Sequence, residues 1–286
     1  MAVNEFGPNP GRLKMLVCAN QVPRGRPLVV LLHGCGQDAA GFAADSGWIA
    51  LADRLGIPLV VPEQADASNV HRCFQWFHLA DISRDQGEAA SIAAMTRFAM
   101  ERFHADPSRV FIVGLSAGGA MAAAMLAAYP DLFAAGAAVA GLPVGSATSA
   151  VQGLVRMAGA GPDEDPDAWA RRARAVGPKG FAGPWPRLSV WHGRADQTVA
   201  PENANLLALQ WRALHGLPEA PVRDVTDGPV RHLVWGGGTL PALEQWVLDD
   251  QPHGYPIDDQ RESPAPFMLD NTVAATASIA DFFGLG

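Results

Sequence analysis

The sequence predicts an α/β fold built on a mostly parallel, doubly wound sheet, and three observations predict it. Short continuous apolar runs recur along the chain, as strands covered on both faces require. Stretches with apolar residues at helical spacing stand between them, which is the alternation of a βαβ chain. The tract "VFIVGLSAGGAMAAAMLAAYPDLF" (110–133) passes from one apolar run into an alanine-rich stretch through a single serine set among glycines, as a sharp strand-to-helix turn demands.

Taken in order, "PLVVLLH" (27–33), "IPLVVPE" (57–63) and "RVFIVG" (109–114) read as buried strands. Between the second and third, residues 87–107 place Ile92, Met95, Ala99 and Phe103 three or four apart, and Asp106-Pro107 ends the pattern, so an amphipathic helix is expected. The alanines after Ser116 read as a helix. "LFAAGAAVAG" (132–141) and "RLSVWHG" (187–193) are strands, 201–216 a helix, "RHLVWGG" (231–237) and "LEQWVLDD" (243–250) strand-like runs, and 269–283 a closing helix. Residues 142–186 break the rhythm: they are rich in Gly, Pro and Ala with short helical patterns such as "DPDAWARRARAV". So long a connection is uncommon unless it covers something, which predicts a cap-like excursion over one end of the sheet, an irregular surface loop being the alternative. The whole chain, 1–286, is expected to form one domain.

Composition narrows the function. The chain has 286 residues, 49% of them apolar and 17% charged, with a net charge of −8, so it offers no basic footprint for nucleic acid or anionic lipid. No run of 18 apolar residues stands without a breaker, so no membrane span is expected. The first residues, "MAVNEFGPNPGRLKML", lack a basic segment followed by an apolar one. As written the chain is expected to be cytoplasmic, or secreted or periplasmic if a leader was removed. Cys18, Cys35 and Cys73 are too few for a disulfide scaffold and show no zinc spacing, so neither metal nor cofactor is expected.

"GLSAG" (114–118) is G-x-S-x-G after a predicted strand and before a predicted helix, the setting in which a serine is thrust out as a nucleophile. The amide of Ala117, opening the helix, points where an oxyanion would form. A serine needs a base and an orienting acid, and after such an elbow the order is Ser, then Asp or Glu, then His. "VWHGRADQTV" (190–199) puts Asp196 just past a strand at the same sheet edge, while Asp224 and Asp227 are rivals that no strong strand delivers there. Of the eight histidines, His253 in "DDQPHGYPIDD" follows the last strand-like run and precedes the closing helix, where the base belongs. The second oxyanion donor is expected after the first long strand, in "LLHGCGQ" (31–37), from the amide of Cys35 with Gly36 as rival.

"PLVVLLHGCGQ", "RCFQWF", "RDQGEAASI", "GLSAGGAM" and "HGYPID" together resemble the poly(3-hydroxybutyrate) depolymerase family of esterases, relatives of feruloyl and acetylxylan esterases with the α/β-hydrolase fold. The likeness runs over roughly residues 6–285, with Pro252 standing where relatives often have glycine. The resemblance implies a catalytic triad of Ser116, Asp196 and His253, an oxyanion hole of the Cys35 and Ala117 amides, and a Cys35–Cys73 disulfide. It also implies a role for Trp76 beside the acyl group, a buried core tryptophan being the alternative; Phe77 and Trp185 are candidates to line the same pocket. The expected activity is hydrolysis of short-chain 3-hydroxyacid esters, their oligomers or amorphous polyester. A feruloyl or acetylxylan type esterase is the alternative, and a non-catalytic binding protein of the same fold a further one.

Overall fold

The computed structural model describes residues 1–65, 67–159, 165–258 and 265–286. Its core is a ten-stranded sheet. The strands in chain order are β1 (Ala2–Val3), β2 (Lys14–Cys18), β3 (Leu28–Leu32), β4 (Leu59–Glu63), β5 (Val110–Leu115), β6 (Ala135–Val139), β7 (Arg187–Gly193), β8 (Arg223–Asp227), β9 (Val230–Trp235) and β10 (Leu243–Leu248). In space they run β1-β2-β4-β3-β5-β6-β7-β10-β9-β8. The six central strands, β4 to β10 in that order, are parallel to one another. Antiparallel strands finish both edges. A small parallel pair, β11 (Tyr255–Ile257) and β12 (Met268–Asp270), lies apart.

Helices cover both faces. On one lie α4 (Gly87–Phe103), α5 (Ala117–Ala128), α7 (Pro166–Val176) and α8 (Glu202–His215), which join Ile92, Met121, Ala173 and Trp211 to the sheet in one apolar core. On the other lie α1 (Ala39–Asp45), α2 (Trp48–Leu55) and α9 (Ala275–Phe283), where Phe42, Trp48 and Phe283 share one apolar cluster with the sheet and Phe283 stacks on Phe111 of β5 at 4.5 Å between ring centroids. Strand interiors such as β3, β5 and β6 are buried throughout, which is why their sequences are continuous apolar runs without alternation. Every residue of α5 is buried, and its alanines and glycines let it settle directly onto the central strands.

Several details depart from the reading of the sequence. The run 231–237 is β9 and lies antiparallel to the last strand-like run, β10, which is parallel to β7. The closing helix begins at Ala275, because Met268–Asp270 pairs with Tyr255–Ile257 instead. Strand β2 and helices α1 and α2 are additions to the elements read from the sequence; α1 is capped by Asp38, whose carboxylate accepts from the Gly41 amide. The excursion 142–186 contains α6 (Ala150–Ala158) and α7, while its residues 160–164 lie outside the described residues. A four-residue helix, α3 (Leu79–Ile82), precedes α4. Among the described residues no helix is long and apolar enough to cross a membrane.

Candidate active site

Ser116 sits between β5 and α5 with φ 56° and ψ −118°, a conformation that side chains rarely adopt. Two backbone bonds hold it: its amide donates to the Val139 carbonyl at 2.8 Å, and its carbonyl accepts from the Ala120 amide at 2.9 Å. The neighbouring glycines answer a steric demand. A Cβ on Gly114 would lie 2.1 Å from the Gly118 carbonyl oxygen, and one on Gly118 would lie 2.2 Å from that of Leu32. Helix α5 must approach that closely to lift the hydroxyl above the sheet.

Asp196 lies in the turn after β7 and His253 in the loop after β10, and the two strands are parallel neighbours in register, Gly193 beside Leu248. The turn and the loop touch directly: a Cβ on Gly193 would lie 1.9 Å from the Gln251 carbonyl oxygen, so only glycine fits there. The three sequence-selected side chains meet. His253 Nδ1 lies 2.7 Å from Asp196 Oδ2, and His253 Nε2 lies 3.0 Å from Ser116 Oγ. Asp196 is 5% exposed. Burial by itself would raise its carboxyl; hydrogen bonds from His192 and His253, the attraction of His253 and the Val199 amide outweigh it and hold the group far below the usual carboxylate range. Asp224 stands on the exposed edge strand β8, paired with Arg231, and Asp227 ends the same strand, so neither reaches the site.

The loop after β3 faces Ser116. There the Gly34 amide donates to Gln37 Oε1 and the Gly36 amide to the His71 carbonyl, each at 2.8 Å. The Cys35 amide donates to no atom among the described residues, and the Ala117 amide, first in its helix, has no partner one turn back. Cys35 is joined to Cys73 by a disulfide, with Cα atoms 4.3 Å apart, which ties this loop to the segment before Trp76. Cys18 is free. A cavity of about 100 Å³ adjoins the serine, walled by Cys35, Leu115, Met157, Thr198, His253 and Phe267.

The aromatic candidates fall elsewhere. Trp76 is 5% exposed and belongs to the apolar core, its ring edge-on to Phe77 at 5.5 Å. Phe77 packs on Gly153 of α6, and Trp185 meets Phe181. None of the three lines the cavity beside Ser116. Large apolar rings that sequence alone assigns to a pocket are drawn into the core by the area they bury there.

Two features escaped the reading of the sequence. His192, known only as one histidine of eight, reaches Asp196 Oδ2 at 3.1 Å; its signal was the four-residue spacing in "HGRAD". Glu88, at the start of α4, is fully buried. It accepts from the Gln64 side chain and, at 2.8 Å, from the Gln75 amide. Gln64 also donates to the Cys73 carbonyl at 3.1 Å, and its amide donates to His33 Nε2 at 3.2 Å, so His33 Nδ1 donates to the Gly34 carbonyl at 2.8 Å. Burial raises the Glu88 carboxyl to about 8, with Asp81 adding repulsion and the two hydrogen bonds opposing. Among the described residues no group of three or more His, Cys, Asp or Glu is placed to hold a metal ion.

Residues 16–229 match the sequence profile of the family described as Esterase PHB depolymerase. The chain is 40% identical to poly(3-hydroxyalkanoate) depolymerase C of Paucimonas lemoignei over 99% of its own length and 69% of that protein. It is 33% identical to an acetylxylan esterase of Coprinopsis cinerea over 89% of its length and 68% of that protein. Among solved structures, an acetyl xylan esterase from Aspergillus awamori superposes with a TM-score of 0.85 at 24% identity, covering 100% of this chain and 99% of the other, and so shares the α/β-hydrolase fold.

Proposed function

The chain belongs to the PHB depolymerase family of esterases and is a carboxylic ester hydrolase, and from that premise we propose that it cleaves short-chain 3-hydroxyacid esters, their oligomers or amorphous polyester through a Ser116–His253–Asp196 triad. The observation that carries the reading is the relay of hydrogen bonds, 2.7 Å from His253 to Asp196 and 3.0 Å from His253 to Ser116, beside a small apolar cavity.

In this mechanism Ser116 Oγ attacks the ester carbonyl as His253 Nε2 takes its proton, while Asp196 holds the Nδ1 hydrogen and stabilises the imidazolium. The Cys35 and Ala117 amides receive the oxyanion, each contributing about 3–4 kcal/mol. Gly36, the rival donor, is occupied by His71, which favours Cys35. The imidazolium returns its proton to the leaving alcohol, and water then attacks the acyl-enzyme by the same route and releases the acid. The whole chain acts as one catalytic domain.

The cavity of about 100 Å³ is well below the ~300–1,000 Å³ that enclose drug-sized ligands, so it suits a short acyl group better than an aromatic acid. An acetyl group would fit the same space, and the likeness to acetylxylan esterases makes acetylated polysaccharide the second reading. A panel run against the purified protein separates the two: 4-nitrophenyl butyrate, 3-hydroxybutyrate trimer, amorphous polyester, acetylated xylan and methyl ferulate. The proposal expects release of 3-hydroxybutyrate from the trimer and no activity for S116A. Deacetylation of xylan with an untouched trimer would transfer the assignment to the second reading, and full activity in S116A would remove the triad.

A further inference from the structure

We infer that His192 is a positioning residue for the triad acid, a second imidazole that keeps Asp196 Oδ2 turned toward His253. The inference rests on the triad proposed above.

Asp196 is held from four directions. Its Oδ1 accepts the amides of Thr198 and Val199, each at 2.8 Å. Its Oδ2 accepts from His253 Nδ1 at 2.7 Å, and His192 Nε2 lies 3.1 Å from the same oxygen. The same His192 nitrogen lies 2.9 Å from the Val199 carbonyl oxygen. Both neighbours are acceptors, so this nitrogen carries the ring hydrogen: it donates to the Val199 carbonyl and sets the positive N–H edge of the ring 3.1 Å from Asp196 Oδ2. His192 therefore holds the turn through the carbonyl of the residue whose amide binds the other carboxylate oxygen, and sets its N–H edge against Oδ2. The ring itself has little freedom, since it belongs to β7, is 3% exposed and lies on the face covered by α8.

The other ring nitrogen argues for function over simple packing. Nδ1 is buried and has no hydrogen-bond partner among the described residues. An unpartnered buried nitrogen is a desolvation penalty that an apolar side chain would avoid. The site tolerates that penalty, and what imidazole supplies in return is the Nε2 donor. With it absent, Oδ2 has His253 as its one remaining partner, and a carboxylate fixed only at Oδ1 by the Thr198 and Val199 amides can tilt at Oδ2, shifting the imidazole relative to Ser116 Oγ. Displacements of that kind act on the chemical step and leave ester binding alone.

The experiment compares H192M, which fills the space without a donor, with H192Q, which keeps an N–H at similar reach. Active sites are counted first by stoichiometric labelling with a fluorophosphonate, and failure of the wild type to label at Ser116 would overturn the triad itself before His192 is judged. Per labelled site, H192M is expected to lower kcat on 4-nitrophenyl butyrate by about 10- to 100-fold. KM should stay within about twofold, and H192Q should recover most of kcat. Equal kcat in the two variants, or a loss that lies in KM or in the fraction of labelled sites, would show His192 to be packing only and sink the inference. If H192M yields no folded protein, H192N, whose amide is too short to reach Asp196, takes its place beside H192Q with the same expectations.

Discussion

Asp196 and Glu88 are both carboxylates removed from water, and the fold treats them in opposite ways. Asp196 meets two backbone amides and two imidazoles, and its ionised form is held far below the usual range. Glu88 meets one backbone amide and one neutral side-chain amide, has Asp81 nearby, and rises to about 8. Glu88 is the more deeply buried of the two and has fewer donors, so both burial and the number of donors push the pair apart. The first arrangement prepares a negative charge to steady an imidazolium at the moment of reaction. The second keeps a protonated carboxyl below the loops that carry Cys35 and Trp76.

The contrast can be broken most forcefully at Asp196. D196N should preserve the fold and lower kcat by about 10³- to 10⁴-fold, because the amide can no longer fix the His253 tautomer; a loss under tenfold would mean that Asp196 is not the acid. Reduction of Cys35–Cys73 is next in size. Closing a loop with a sequence separation of 38 is worth about 3–4 kcal/mol in the chain-entropy estimate, and urea unfolding of the C35A/C73A double variant against wild type reads it directly.

The Glu88 side of the contrast predicts a pH dependence. Its carboxyl is raised from 4.5 in the unfolded chain to about 8 in the folded one, so the folded protein retains a proton that the unfolded chain releases. Its contribution to stability is full below pH 4.5 and falls as pH rises through that window toward 8. E88Q cannot titrate and should flatten this slope in unfolding free energy between pH 5 and 8, with kcat within about threefold of wild type. A slope unchanged by E88Q would mean that Glu88 is ionised in the fold. The smallest effect is expected at Asp224, the rejected acid: D224A should leave kcat within about twofold.

Much of this was legible in the sequence for a physical reason. Central strands buried on both faces must be continuous apolar runs, and the elbow leaves glycines where backbones nearly touch, so β3, β5, Ser116 and α5 were visible directly. His253 was found by its place in the series, since β10 delivers it beside β7. What stayed hidden depends on contacts across the chain. β8 is exposed along its whole length and has no apolar run, and α1 and α2 are short, at seven and eight residues, too few for a helical period to stand out. Glu88, in the first turn of its helix, carries no local mark of burial, because Gln64 and Gln75 close over it from distant parts of the chain. Trp76 takes the core alternative and Phe77 and Trp185 are partly buried against that core, because an aromatic ring carries no mark in the sequence that distinguishes a pocket from a core.

The contact of Gly193 with Gln251 bears on attempts to transplant parts of this protein. Because acid and base are delivered by adjacent strands whose ends touch without an intervening side chain, the spacing of the pair is inherited from the sheet and not from either loop's own sequence. A designer could exchange residues 249–258 for a relative's segment and keep a working pair, provided that position 193 remains bare and the incoming backbone follows the same path.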